Sequence, residues 1–258
     1  EGLTFQGYSG AAVHLLSRKN RIENNVFEDA SPAILASGSE GNSINGNLIM
    51  NCQGGVALRD ASENNSIDGN EITSCNISIF LGEADGNSII ENNISDAYWG
   101  IWLDNSSQVQ IEGNDIQSRS HGILLLNGSG LYVSDNLVMI DDAGNSTSRA
   151  SLLANVSDVV FQRNKIDGGE IGLAALDCQN TELLYNNITQ SNNAIYIQDA
   201  YGLNINNNSL IEGDYGIRVD NSSQNSIIGN LARDFVIALD IGAAEDNRIL
   251  KNQFVGIT

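Results

Sequence analysis

Four carboxylates stand beside a recurring asparagine. Glu71 and Asp115 follow it by one residue, Glu91 and Asp135 precede it by one, and Asp68 and Glu112 lie close by. Carboxylates gathered on one face supply oxygen ligands for Ca²⁺, and a pair about 5–10 Å apart is the apparatus of glycoside hydrolysis. Arg119, the basic side chain nearest to the set, occupies a different offset. Positions before and after the asparagine need not point the same way, so a charged, solvated face is the expected role of these acids. The two histidines, His14 and His121, are far apart and at unlike offsets, which argues against a two-histidine metal site or a Ser-His-Asp triad. Met50 and Cys52 offer soft donors to copper, but two residues do not define a site. The sequence therefore yields no catalytic assignment and no metal ligand set; Ca²⁺ is the one cofactor it leaves open.

What positions these side chains is a repeat. The asparagines are Asn25, Asn47, Asn70, Asn92, Asn114, Asn136, Asn164, Asn186, Asn208, Asn230 and Asn252, spaced by 22 residues except for one step of 23 and one of 28. Three residues before each stands an apolar side chain, from Ile22 through Ile89 and Ile111 to Ile249. Two residues after each stands another, from Phe27 through Ile94 and Ile116 to Phe254. Short alternating pieces such as Ile195-x-Ile197, bounded by Gly, Asn, Asp and Ser, are strand signals, and no stretch sustains helical periodicity. Three short strands and three corners per 22 residues describe a coil of a parallel β-helix. About 11–12 coils at a spacing of about 4.8 Å give a rod about 50–55 Å long. The right-handed form is favoured, because left-handed β-helices run on tighter six-residue sides.

Stacking gives the asparagine a structural role: it tolerates a left-handed corner, and its amide can link to the amides above and below as a ladder. Cys52 and Cys75 share an offset in consecutive coils, which suits either a disulfide or a stack of two thiols; Cys178 is left over. A row that should point outward carries Leu35, Ala57, Phe80, Trp102, Leu124, Leu152, Ala174, Tyr196, Arg218 and Asp240. Its middle is apolar, with Trp99 and His121 alongside, and a contiguous apolar patch marks a contact surface. Phe80, Trp99, Trp102, Leu124 and Leu152 are thus the candidate binding or assembly stripe, expected to be exposed.

A formal charge of −20, with 12 Lys and Arg against 32 Asp and Glu, excludes a basic nucleic-acid footprint and disfavours an anionic membrane surface. No stretch is apolar for the length of a membrane span. Sequons such as Asn76, Asn105, Asn127 and Asn221 would suit glycosylation, though an Asn- and Ser-rich chain contains many by accident. Residues 1–258 read as a single solenoid domain with one insertion at about 139–150, whose carboxylates lack the full spacing of a Ca²⁺ loop. Neither end shows a capping segment, which suggests part of a longer protein or ends covered by neighbouring copies.

The unit N-S-I-x-x-N-x-I…G-I-x-L, as in Asn65–Gly86 and Asn87–Gln108, resembles the NosD-type (CASH-domain) parallel β-helix repeat over about residues 10–258. That resemblance implies an all-β right-handed solenoid from the secreted and surface proteins of archaea and bacteria, a group that includes a copper-maturation factor, carbohydrate-active enzymes and surface-layer proteins. The expectation is a non-enzymatic extracellular building block of a cell-surface layer, sheath or filament, self-associating through open ends or the aromatic stripe, with cell-surface glycans as a further candidate partner. The alternatives are a carbohydrate-binding or polysaccharide-cleaving protein, a Ca²⁺-dependent lyase or a glycoside hydrolase, and a copper-handling protein.

Overall fold

A computed structural model describes residues 2–141 and 147–256. Every described strand pairing is parallel, and each joins residues one turn apart, as in Ile67 to Ile89 to Ile111 to Val133. The result is a β-helix with three sides. The first side ends just before the anchor asparagine and forms an 11-stranded sheet, from Arg21–Glu23 to Arg248–Leu250. The second side follows the asparagine, as in Val26–Glu28, and the third carries strands such as Gly54–Arg59 and Ile77–Gly82. In Asn93–Asp104, Asp115–Leu126, Ser209–Asp220 and Leu231–Gly242 the second and third sides run on as one 12-residue strand, so the two join in a 19-stranded sheet.

The three-residue strands place one apolar side chain inward between two neighbours on the outside. Ile67, Ile89, Ile111 and Phe161 stack within the first side, and Ile72, Ile94, Ile116 and Val138 within the second, all at most 1% exposed. Burying each contributes about 1.5–3 kcal/mol, and the sum is distributed evenly along the rod.

The anchor asparagines link in an unbroken series from Asn25 to Asn252. Asn92 is representative: its backbone N–H and its Nδ2 both donate to Asn114 Oδ1, at 2.9 and 3.0 Å, and Nδ2 also donates to the carbonyls of Ile67 and Ile90. The left-handed conformation expected of these asparagines belongs instead to the residue before. Asn24, Glu91, Asp135, Arg163, Tyr185, Asn207 and Lys251 all have φ near +55°, and Gly46, Gly69, Gly113 and Gly229 take that position in other turns. The anchor is fixed by its buried amide, while the corner tolerates whatever side chain can point to solvent.

A second ladder lies at the other end of the first side. Asn42 donates to Asn65 Oδ1 and Asn65 to Asn87 Oδ1. The series gives way to Val109, Leu131, Val159, Thr181 and Leu203, all buried, before Asn225 and Asn247 resume it.

Candidate functional site

The third side places three rows of side chains outward. The row containing the predicted stripe runs Ala57, Phe80, Trp102, Leu124, Leu152, Ala174, Tyr196, Arg218, in register turn by turn. To one side runs Gly54, Ile77, Trp99, His121, Arg149, Ile171, Asn193, Tyr215, and to the other Arg59, Gly82, Asp104, Leu126, Ala154, Leu176, Gln198, Asp220. The stripe is therefore the midline of a broader apolar face that also includes Ile77, Leu126, Ile171 and Leu176. Reading the sequence at the two flanking offsets would have found these four; following one offset concealed them.

The five predicted residues lie together, but they are less open than expected. Phe80, Trp99, Trp102 and Leu152 are half-buried and Leu124 is 7% exposed. The rings cover one another: Phe80 meets Trp102 edge-on at 5.0 Å, Trp102 meets Trp99 at 4.9 Å and 88°, and Trp99 meets His121 at 6.3 Å. Edge-to-face packing suits the ring quadrupoles, and it uses up ring faces that a lone surface aromatic would present to water. The indole N–H groups of Trp99 and Trp102 and Nε of Arg149 are shut off from solvent with no acceptor among the described residues.

Arg59 lies over the Phe80 ring, 5.0 Å from its centroid, a cation–π contact. Beside it a groove of about 240 Å³ is lined by Pro32, Gly54, Ala57, Arg59, Phe80 and Trp102, where small side chains give way to large ones. His121 Nδ1 is 2.8 Å from Ser120 Oγ. Burial, assisted by the charge of Arg149, lowers its pKa to about 4, so the imidazole is neutral at physiological pH.

The acidic residues do not gather. Glu71 and Asp115 are exposed, two turns apart with Asn93 between them. Glu91 and Asp135 occupy the left-handed corner on the other side of the asparagine, separated by Gly113. Asp68 and Glu112 lie on the first side. Asp135 is spoken for by Arg163, whose Nε and Nη2 donate to its two oxygens at 2.8 and 2.7 Å and hold it below the usual carboxylate range. Arg119 is paired with Asp96, which also accepts from Ser74. A set split across a corner and partly neutralised does not fit Ca²⁺ or paired-acid chemistry. Of the insertion loop, residues 142–146 lie outside the described residues.

Cys52 and Cys75 are free, buried thiols stacked in adjacent turns, with Asn76 N donating to Cys52 O. A hydrogen bond from the Cys75 thiol lowers the Cys52 pKa to about 7, while Cys75 is raised. Their sulfurs also engage the carbonyls of Met50 and Thr73. Cys178, fully buried, is pushed up to about 12.

The family described as periplasmic copper-binding protein (NosD) matches residues 2–139, and a right-handed β-helix region matches 78–232 and 145–258. The chain belongs to the NosD family. The rod is accordingly a right-handed parallel β-helix of about eleven turns. No curated protein matches it in sequence. Among solved structures, the periplasmic alginate epimerase AlgG is 14% identical with a TM-score of 0.55, over 93% of this chain and 73% of that one. A variant of DFA-IIIase from Arthrobacter chlorophenolicus A6 in complex with DFA-III is 14% identical with a TM-score of 0.65, over 90% and 76%. An exopolygalacturonase from Thermotoga maritima is 11% identical with a TM-score of 0.65, over 93% and 84%. At these identities the likeness is one of fold. Among the described residues no three of His, Cys, Asp and Glu converge on a point where the copper named in the family description could sit, and the paired thiols are buried and engaged with carbonyls. The residues do not fit such a site.

Proposed function

We propose that this NosD-family chain is a non-catalytic β-helical building block of a layer, sheath or filament outside the cytoplasm, where its apolar third side docks against neighbouring protein. The observation that carries this reading is the continuity of that face. Apolar side chains hold its midline from Phe80 to Ala174, five successive turns, with apolar neighbours in both flanking rows. The first side of this rod carries Ser66, Ser88 and Gln110 outward, whereas over these turns the third side is apolar both inward and outward, and a contiguous apolar patch on a surface marks a contact site. The location is supported by the family description and by AlgG, both periplasmic.

A second reading, glycan binding, is favoured by the groove between Arg59, Phe80 and Trp102 and by the polysaccharide-acting neighbours. Against it, Trp102 is held edge-on between Phe80 and Trp99, so little flat ring surface is offered to a sugar. The test is electron microscopy and light scattering of the purified chain and of Trp102→Asp. The wild type should assemble, and the variant should remain dispersed while keeping the β-sheet circular dichroism of a folded rod. Assembly that ignores Trp102→Asp, or cleavage of uronate or neutral polysaccharides in a panel run with and without Ca²⁺, would overturn the structural role.

A further inference from the structure

We infer that the neighbour seated on the third side is a second copy of this chain, packed face to face with its rod antiparallel. The inference rests on the docking-face reading above and names its occupant. A two-fold axis lying in the face, along the strand direction and midway between the Leu126 and Ala154 turns, reverses the order of turns while keeping each outward row opposite itself. Under that operation Trp102 meets Ala174, Trp99 meets Ile171, Phe80 meets Tyr196 and Leu124 meets Leu152. Farther out, Gly54 meets Tyr215 and Ala57 meets Arg218. Thus Trp102, Tyr215 and Arg218 stand opposite the smaller Ala174, Gly54 and Ala57, while Phe80 meets Tyr196 ring to ring and the two leucines meet at the axis.

Charge follows the same symmetry. Arg59 has no carboxylate within ion-pair distance among the described residues, whereas at the far end Asp220 and Asp240 share one guanidinium, that of Arg218, at 3.1 and 3.5 Å. The two-fold brings Arg59 opposite Asp220 twice per dimer. His121 comes opposite Arg149 and its neutral imidazole adds no charge there, but the axis also brings the two Arg149 guanidiniums near each other, a repulsion that the two Arg59–Asp220 pairs and the apolar contact must outweigh. The alternative axis, along the rod, would set Phe80 against Phe80 and Trp102 against Trp102 and leave the small end gaping.

The area is sufficient. Eight turns at about 4.8 Å and a row-to-row width of about 17 Å give roughly 650 Å² per copy, or about 1,300 Å² in all, within the range of stable interfaces. Each copy carries a charge of −20, but the screening length of about 8 Å at physiological salt restricts that repulsion to close neighbours.

Light scattering of the purified chain should give at least twice the monomer mass, with the face-to-face pair as the repeating unit of any larger assembly. Arg59→Asp or Asp220→Arg alone should weaken pairing at least about tenfold, and the double exchange should restore it. In a separate variant, Asp104→Cys with Leu176→Cys should cross-link as a dimer under mild oxidation, since these positions meet only in the antiparallel arrangement. A wild-type chain that stays monomeric to about 100 μM, or charge variants whose double exchange fails to rescue, overturns self-pairing. If that monomer still binds another envelope component through Trp102, the docking-face reading survives alone; if pairing occurs but is indifferent to Trp102→Asp, both fail.

Discussion

The first and third sides of this rod are built on the same interior and differ only outside. Ile89 on the first side and Ile101 on the third are both buried, and both stack on an aliphatic residue in the next turn. Outward, the first side carries Ser66, Ser88 and Gln110 in succession, while the third carries Phe80, Trp102 and Leu124. The interior accounts for the fold, and the contrast between exteriors is what supports the docking face proposed above. The sharpest ways to test the comparison are substitutions that separate what holds the rod from what decorates it.

The largest effect is expected inside the anchor ladder. Asn114 accepts from Asn92 N and Nδ2, and its own Nδ2 donates to Asn136 Oδ1 and to the carbonyls of Ile89 and Glu112. Asn114→Ala strands several buried groups at once and should cost about 3–5 kcal/mol, read as a lower denaturation midpoint with an unchanged slope. A loss under about 1 kcal/mol would mean that the aliphatic stacks alone hold the first side.

The second ladder should matter less. Asn87 is its last member before Val109, so Asn87→Val extends an apolar run that the chain already tolerates. It still leaves Asn65 N and Nδ2 without their acceptor, and about 1–3 kcal/mol is expected. Equal costs for Asn87→Val and Asn114→Ala would show that the interruption from Val109 to Leu203 is an energetic burden.

The sequence made the interior legible because stacking repeats one environment eleven times. An anchor asparagine sees another asparagine above and below, and so its type recurs at a fixed offset. The corner before it was misread for the same reason in reverse: Glu91, Arg163 and Tyr185 share one backbone conformation but point to solvent, so nothing makes their types agree. Whether Glu91 and Asp115 meet depends on the direction of the chain through that corner, which no residue type records. The extent to which Trp99, Trp102 and Phe80 bury one another depends on ring orientation, and Arg59 over Phe80 on a rotamer. Those are packing outcomes, and they turned an expected open stripe into a half-closed face.

The two exteriors should also titrate in different pH windows. On the third side, the pKa of His121 falls from 6.5 to about 4 on folding, through burial and then Arg149. The unfolded chain therefore binds more protons between those values, so this contribution is complete above pH about 6.5 and is lost as pH falls toward 4. Discounted for the partial exposure of the ring, the loss is about 1–2 kcal/mol. His121→Phe should flatten that part of the stability profile, and an unchanged slope between pH 4 and 6.5 would place the ring in water.

The smallest effect belongs to the corner of the first side. Arg163 holds the Asp135 carboxyl below its ordinary range, and the pKa of a carboxylate depressed by folding contributes stability above its unfolded value that is lost as pH falls through the folded one. Its window therefore begins near pH 4, where that of His121 ends. The pair is nearly half exposed on both partners, and exposed pairs contribute little. Arg163→Ala should leave the melt at neutral pH almost unchanged, and what deviation there is should disappear as pH falls through the depressed pKa of the Asp135 carboxyl, where both forms lose the carboxylate charge. A large loss at neutral pH would instead mean that the corner carries load, and the division between a bearing interior and a free exterior would have to be redrawn at the left-handed residue.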